Sequence, residues 1–270
     1  MSLLLCRQEH VTHPYYAEEL GLRLSSTQEL AYVIYHYPLL VLDGFVRESL
    51  LDFMREELGQ GFLALKIDQW MKSGENPDEI LPMILQESDY YTAQEVAHYR
   101  QQITDLRGKH PAEYRRMKAD ELFSMRQYGR AVKIYQELLE LPADEVVNES
   151  FRSRVGNNIG SCYARMFRYD KAFEAYKRAY SADGNPEILR KIYYLTRLDP
   201  DLRLGERFKA LATPELKTGW EREMESARKR AENSVQVRQL DTLFAQEQAQ
   251  REKGEMKLIK RWKQEYRTMA

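Results

Sequence analysis

Apolar residues recur along most of the chain at intervals of three and four, the spacing that puts side chains on one face of an α-helix. Leu81, Ile84 and Leu85 follow this spacing in one segment, and Phe45 and Phe53 belong to another. Alternation of apolar and polar residues, which is typical of a half-buried strand, is nearly absent, and only Leu20 to Ser25 favours a short strand. The pattern therefore predicts an all-α protein with eleven or twelve helices.

Residue types that stabilise helix N-termini begin many of these segments. Residues 26–29 and residues 92–95 are capping boxes, in which a hydroxyl and a glutamate three residues later satisfy free backbone N–H groups. Further sites place a proline directly after a capping residue, which is typical of the first turn of a helix. They are Asn76-Pro77, Asn185-Pro186, Asp199-Pro200 and Thr213-Pro214. Each of these positions is predicted to begin a helix.

A pattern of small and large residues over residues 152–185 indicates a pair of antiparallel helices. Gly160 and Ala172 are small enough to let two helices cross closely, and Tyr163 and Tyr176 are large enough to fill the adjoining layers. A pair of this kind buries its apolar face by stacking on further pairs, so the pattern predicts an array of repeats.

This register resembles that of the tetratricopeptide repeat (TPR), a helix-turn-helix unit of about 34 residues. The resemblance covers residues 152–185 and departs from the family pattern at two positions, where Gly156 replaces the usual tryptophan and Gly184 replaces the terminal proline. A weaker copy of the register runs from Ala119 to Leu138, and a half-repeat begins at Asn185-Pro186. The resemblance implies an α-solenoid that binds protein or peptide partners.

The repeat pattern fades after Pro200, where an array needs a terminal helix to cover its last apolar face. Residues 202–211 and the long segment from Pro214 are predicted to supply that cover. A seam with the 4-3-4 spacing of a coiled coil follows, and it would allow two copies of the chain to associate. The seam consists of Trp220, Met224, Ala227 and Ala231.

Charge is distributed unevenly along the chain, although 41 basic and 42 acidic side chains give a net charge of only −1. Residues 1–110 carry 9 basic and 17 acidic side chains, a net −8, whereas residues 111–200 carry +3 and residues 201–270 carry +4. The overall balance gives no case for binding nucleic acid or an anionic membrane, and the acidic N-terminal part would repel phosphates.

These features predict three regions, namely an acidic helical domain over residues 1–105, TPR-like helical repeats over residues 106–212 and a long helical extension over residues 213–270. The opening of the chain also resembles uncharacterised helical proteins of anaerobic Firmicutes, and that resemblance implies a cytosolic accessory protein. Cys6 and Cys162 are too few for a disulfide framework, so a reducing compartment, the cytoplasm, is expected.

The sequence contains no motif that commits it to catalysis, to a cofactor or to a metal. Residues 59–64 match the dinucleotide fingerprint G-x-G-x-x-A, but they follow a predicted helix instead of a strand, so Gly59 is predicted to be a helix C-cap. Cys6, His10 and His13 have metal-like spacing without an evident fourth ligand. No enzyme activity, cofactor or metal is therefore expected, and an active site assembled only by the fold stays open.

The resemblance implies that the first helix of each repeat lines the concave face of the array. Transferred residue by residue, the register places one set of side chains on that face. The set is Arg154, Asn157, Ser161 and Arg165 in the strong repeat, Arg116, Asp120 and Phe123 in the weaker copy, and Lys191 and Leu195 in the half-repeat. The family's clamp for a terminal carboxylate has asparagine where Ser161 stands, so the expected ligand is a general acidic or extended peptide. Ordinary solvated arginines are the alternative interpretation.

The C-terminal segment forms a second candidate contact surface. Leu258, Ile259 and Trp262 would share one face of a helix that is surrounded by basic side chains, among them Lys260 and Arg261. Three interpretations of this tail are open. It contacts an acidic partner through Lys260, Arg261 and Trp262, it binds a membrane or nucleic acid, or it packs Trp262 onto the core of its own chain.

Together these features predict a cytoplasmic, non-enzymatic adaptor or scaffold that binds a protein or peptide through the concave face, the terminal helices or both. Two alternatives remain, a peptide-sensing regulator that also contacts nucleic acid and a homo-oligomer built on the C-terminal helices. The acidic N-terminal part disfavours the first of these. The most apolar run, Ala31 to Phe45, contains His36, Pro38 and Asp43, so no membrane span is expected, and no small-molecule substrate is indicated.

Overall fold

Helices dominate the computed structural model, which describes residues 11–270. Over these residues the chain forms fifteen α-helices, one 3-10 helix and one antiparallel pair of short strands. The structure is thus all-α with a minor sheet, as predicted. The helices outnumber the expected eleven or twelve because some are very short, and a helix of four to six residues has too few turns for its apolar spacing to be recognised.

The chain divides into two compact units, with the boundary between Glu121 and Leu122. The first unit contains both strands and the first six helices, and a seventh helix crosses the boundary. The elements are β1 (Tyr15–Ala17), β2 (Leu22–Leu24), α1 (Thr27–His36), α2 (Pro38–Val41), α3 (Glu48–Glu56), α4 (Gly61–Ser73), a 3-10 helix (Pro77–Glu79), α5 (Ile80–Glu87), α6 (Ala93–Arg107) and α7 (Pro111–Ser124).

Two local predictions for the first unit are confirmed. β2 lies within the segment from Leu20 to Ser25, and its partner β1 is not predicted because three residues are too few to show alternation. Gly59 follows α3 with a φ of +66°, and the N–H of Gln60 donates to the carbonyl of Met54. This is a helix C-cap, and the helix before it leaves no strand for a dinucleotide-binding turn.

The second unit contains the remaining eight helices. They are α8 (Tyr128–Leu139), α9 (Glu149–Arg165), α10 (Tyr169–Asp183), α11 (Pro186–Leu198), α12 (Glu206–Leu211), α13 (Pro214–Glu232), α14 (Val235–Phe244) and α15 (Gln248–Met269).

Most of the predicted helix starts carry the expected cap. The side chains of Ser26, Asn76, Thr92, Asn185 and Thr213 each accept a backbone N–H at the start of a helix. The start predicted at Asp199-Pro200 is wrong. Asp199 ends α11, and its carboxylate accepts the N–H of Asp201, so this local turn takes the place of a helical first turn and α12 begins only at Glu206.

α9 and α10 pack closely because glycine occupies two positions of their interface. A Cβ at Gly160 would lie 2.5 Å from the Tyr176 ring, and a Cβ at Gly156 would lie 3.1 Å from that of Ala179. Ala172 of α10 is fully buried in the same core. The prediction that small residues allow the two helices to approach closely is therefore confirmed. Gly156 also allows this approach, at a position where the repeat usually carries tryptophan.

The apolar positions of the weaker copy and of α11 in the half-repeat are also buried. The apolar positions of the weaker copy, Ala119, Leu122, Tyr128, Ala131, Tyr135 and Leu138, are all buried. In the half-repeat, Ile188, Ile192, Tyr193 and Leu195 form the buried side of α11.

α12 and α13 cover the last apolar face of the array, as predicted. Phe208 packs against Tyr180 with ring centroids 5.6 Å apart, and Trp220 packs against Tyr193 at 5.3 Å. After Trp220 the extension leaves the core, and neither α14 nor α15 contributes a buried residue. Across residues 11–270, no helix combines the length and the apolar character needed to cross a bilayer.

Candidate functional site

The candidate site lies on α9, beside the glycines that admit α10. Arg154, Asn157, Ser161 and Arg165 recur along this helix at intervals of three and four residues, so they form one stripe. Arg154 and Arg165 at its ends are exposed, whereas Asn157 and Ser161 in the middle are half-buried. Lys191 of α11 contacts this stripe, and we call the five residues the candidate face.

Hydrogen bonds connect α9, α10 and α11 at the centre of the candidate face. The Lys191 ammonium donates to Oδ1 of Asn157 at 2.7 Å, and the Ser161 hydroxyl donates to the carbonyl of Asn157 at 3.0 Å. The hydroxyls of Ser161 and Tyr176 lie 3.0 Å apart, and the Lys191 nitrogen is 5.6 Å from the centre of the Tyr176 ring. These four residues, which we call the polar cluster, link the two helices of the strong repeat to the half-repeat.

Burial acts in opposite directions on the two titratable groups of the polar cluster. It lowers the pKa of the Lys191 ammonium, which Glu187 raises and which the positive charges of Arg190 and Arg165 lower further. Burial also raises the pKa of the Tyr176 hydroxyl to about 12, so this group is neutral near pH 7. Among the described residues, Lys191 has an amide oxygen as its hydrogen-bond partner and forms no ion pair.

Arg165 lies over two aromatic rings at one end of the candidate face. Its guanidinium carbon is 4.8 Å from the centre of the Phe123 ring and 5.9 Å from that of Tyr128, distances at which a cation is attracted to an aromatic ring. Phe123 and Arg165, which the transferred register assigns to the same face, therefore lie next to each other in the structure. Within the part of the chain that the structure describes, neither Arg165 nor Arg154 forms an ion pair, so the candidate face carries three cations without a carboxylate of its own.

The register also assigns Leu195, Arg116 and Asp120 to this face. Leu195 is buried in the core of the second unit, so its prediction as a surface residue is wrong. It lies on the apolar side of α11 together with Ile188 and Ile192, at helical spacing. Arg116 belongs to the first unit, where its guanidinium pairs with Asp120 one turn along α7 at 2.5 Å. A binding role for Arg116 stays a prediction.

The predicted contact residues of the basic tail lie on α15. Lys260 and Arg261 are exposed, and Arg261 lies 3.6 Å from the carboxylate of Glu265. The Trp262 side chain is 46% exposed, so the interpretation that it packs into the core is wrong. The cause is the path of the extension, which leaves the core after Trp220.

The metal-like spacing near the N-terminus falls mostly outside the described residues, since Cys6 and His10 precede residue 11. His13 is described, and its Nδ1 lies 2.8 Å from Oε1 of Glu57. The other oxygen of Glu57 accepts the N–H of Thr12 at 2.6 Å. Over residues 11–270, no three potential metal ligands among His, Cys, Asp and Glu come together.

Sequence reasoning missed Tyr176 as a member of the site. The repeat pattern assigns it the task of filling a layer, and it is indeed buried, but its hydroxyl reaches the surface-facing Ser161. The signal was present in the spacing. Ser161 and Tyr176 lie at nearly equal distances from the turn at Arg168, and antiparallel helices bring such positions side by side.

Comparison with known proteins agrees with the helix pair that carries this site. The model of the tetratricopeptide repeat family matches residues 155–186, which contain most of α9, all of α10 and the start of α11. No curated protein and no solved structure matches the chain, and the resemblance of its opening to Firmicutes proteins thus gains no support. The chain is thus an all-α helical protein with a TPR-like region, and repeats of this type generally mediate protein–protein interactions.

Proposed function

We propose that this protein is a non-enzymatic adaptor that binds an acidic, extended segment of a partner protein on the candidate face. The observation that carries the proposal is the positive charge of Arg154, Arg165 and Lys191 around the amide of Asn157, where none of the three forms an ion pair with a described residue. The cytoplasm is the compartment that fits this proposal, because Cys162 is buried and forms no disulfide within residues 11–270.

Lys191 provides the strongest support for a ligand. A half-buried ammonium without an ion pair destabilises the folded chain, since burial disfavours its charged form. A carboxylate of a bound peptide would supply the missing negative charge. The Asn157 amide, which donates to Asn158 at 3.3 Å, has a second N–H that suits a peptide carbonyl.

The dimensions of the candidate face suit a short extended peptide. Arg154 and Arg165 are eleven residues apart on one helix, which corresponds to about 16 Å along its axis. An extended chain covers this length with about five residues. The two arginines would therefore contact acidic side chains near the ends of such a segment, and the polar cluster would contact its middle.

A homo-oligomeric scaffold is a second candidate function, and one observation favours it. Met224 of the predicted coiled-coil seam is only half-buried, and Ala227 and Ala231 are exposed, so the described chain leaves the part of the seam after Trp220 uncovered. If two copies pair along this seam, the molar mass in sedimentation will rise with concentration, and Ala227→Glu/Ala231→Glu will return it to that of a monomer. A constant monomeric mass would exclude this function.

The adaptor proposal predicts the outcome of a charge-reversal capture. We expect Arg154→Glu/Arg165→Glu/Lys191→Glu to lose a partner that the wild-type chain captures from its native lysate. The acidic residues of the partner would then face the introduced glutamates, and like charges repel. The matched control, Arg178→Glu/Arg203→Glu/Arg207→Glu, makes the same change in charge at exposed positions of the same unit and should keep that partner. Mass spectrometry identifies the partner, and circular dichroism verifies folding of both variants.

A single substitution at Lys191 separates an effect on binding from an effect on folding. We expect Lys191→Met to be as stable as the wild type or slightly more so in thermal unfolding, because it removes a half-buried charge and keeps the aliphatic stem. Its affinity for the captured partner should fall about tenfold or more, as is typical when a charged hydrogen bond is lost. Arg197→Met on the exposed side of α11 should change neither quantity. A large loss of stability in Lys191→Met would instead assign Lys191 to the fold.

A further inference from the structure

The last two helices, α14 and α15, form a groove although neither of them contributes a buried residue. α14 and α15 pack as a hairpin, and a Cβ at Gly254 would overlap the Leu243 side chain, so glycine permits their close contact. The groove between them has a volume of about 600 Å³, and its apolar lining includes Leu240, Leu258 and Trp262. We call it the hairpin groove.

Positive charge surrounds the apolar part of the hairpin groove. Arg238 of α14 and Lys257 and Arg261 of α15 line it, and no acidic residue is among its lining residues. The whole of α15, with the terminal Ala270, carries seven basic and three acidic side chains, so the surroundings of the groove are also positive. An occupant with negative charge is therefore favoured.

The hairpin exposes several large apolar side chains to solvent. Val235, Phe244, Met256, Ile259, Trp262 and Tyr266 are each at least 42% exposed, and neither helix buries a residue. Exposed apolar surface of this kind, next to charged groups, is typical of sites that bind another protein. α14 has only 10 residues and is marginally stable alone, so a bound partner would also stabilise it.

Both ends of the extension contact the repeats of the second unit. α13 is held through Trp220, and the terminal residue Ala270 lies against Gly129 at the start of α8, where a side chain would overlap its carbonyl oxygen. The hairpin thus lies between two contacts with the repeats. This arrangement reduces the conformational entropy that a partner must overcome when it binds.

We propose that the hairpin groove binds an acidic amphipathic helix of a partner protein. Its apolar stripe enters between α14 and α15, and its glutamate or aspartate side chains pair with Arg238, Lys257 and Arg261. A second copy of the chain fits less well, because a symmetric contact would place the basic residues of two α15 helices against each other. A bilayer fits less well because its flat surface cannot fill a concave groove. The proposal does not depend on the candidate face.

The test uses the full-length chain and a defined probe. The probe is a fluorescent, helix-stapled peptide of about 20 residues, with leucine at i, i+3, i+4 and i+7 and glutamate beside the leucines. We expect saturable binding in fluorescence anisotropy. Arg238→Glu/Lys257→Glu/Arg261→Glu should weaken it about tenfold or more, as should Leu258→Ser/Trp262→Ala, whose altered side chains are not buried.

Two control variants test whether a loss of binding is specific to the hairpin groove. Lys253→Glu/Lys263→Glu/Arg267→Glu makes an equal change in charge on α15 at residues that do not line the groove, and it should weaken binding less than about threefold. Reversal of Arg154, Arg165 and Lys191 should leave the affinity for the probe unchanged, so failure of the adaptor proposal and failure of this one can be distinguished.

Several outcomes would overturn the proposal. Equal losses in the groove variant and the α15 control would show diffuse attraction without a groove. Binding of the chain to phosphatidylserine vesicles but not to the probe would assign the surface to a membrane. A molar mass that doubles with concentration, together with exclusion of the probe, would assign the groove to a second copy.

Discussion

Trp220→Ala is expected to lower the free energy of unfolding of the second unit by about 3–5 kcal/mol, the usual cost of removing a large buried aromatic side chain. Trp220 is only 7% exposed and is the last large residue of a core that runs from α10 to α13. Its ring packs on Tyr193, whose hydroxyl donates to Glu221 of α13 at 2.7 Å. Without the indole, the array loses the cover over its last apolar face.

The reactivity of Cys162 is the appropriate measurement, because this thiol is buried in the second unit and reports its opening rather than that of the first. In a Cys6→Ser background, we expect the labelling of Cys162 by a thiol reagent to become about a hundredfold faster or more. Trp262→Ala removes the same side chain from an exposed position of α15 and should leave the labelling rate nearly unchanged. Equal effects of the two substitutions would contradict the assignment of α13 as the cap.

The repeats could be predicted from sequence because their packing depends on local spacing. Gly160 and Ala172 mark the close approach of α9 and α10, and periodicity alone places Arg154 and Arg165 on one stripe. The contacts that complete the polar cluster could not be predicted in this way. Lys191 reaches Asn157 across 34 residues, and that contact depends on how α11 packs on the preceding pair.

The polar contacts of the first unit were less predictable for the same reason. Arg107 pairs there with Asp78 and with Asp43, which precede it by 29 and 64 residues, and no repeat relates these positions. The hairpin was also missed within the long extension. The break between α13 and α14 depends on a local contact, since Ser234 caps α14 by accepting the N–H of Val237. A serine in a polar stretch is, however, a weak signal for a helix start without the structure.

Gly160→Val is expected to lower the free energy of unfolding of the second unit by about 2–3 kcal/mol, through overpacking that the slight gain in helix propensity does not offset. The Cβ alone would lie 2.5 Å from two carbons of the Tyr176 ring. That ring cannot move away easily, because it is buried and its hydroxyl is bound to Ser161. The measurement is again the labelling rate of Cys162.

Gly219→Val is the matched control, since Gly219 lies in α13 with open space where the Cβ would be placed. It should leave the stability of the second unit unchanged or slightly higher. A valine at residue 160 should also displace Tyr176 from Ser161 and weaken partner binding, although it touches none of the charged residues of the candidate face. If Gly160→Val were as stable as Gly219→Val, the close crossing of α9 and α10 could not be what positions the polar cluster, and the candidate face would need a different structural basis.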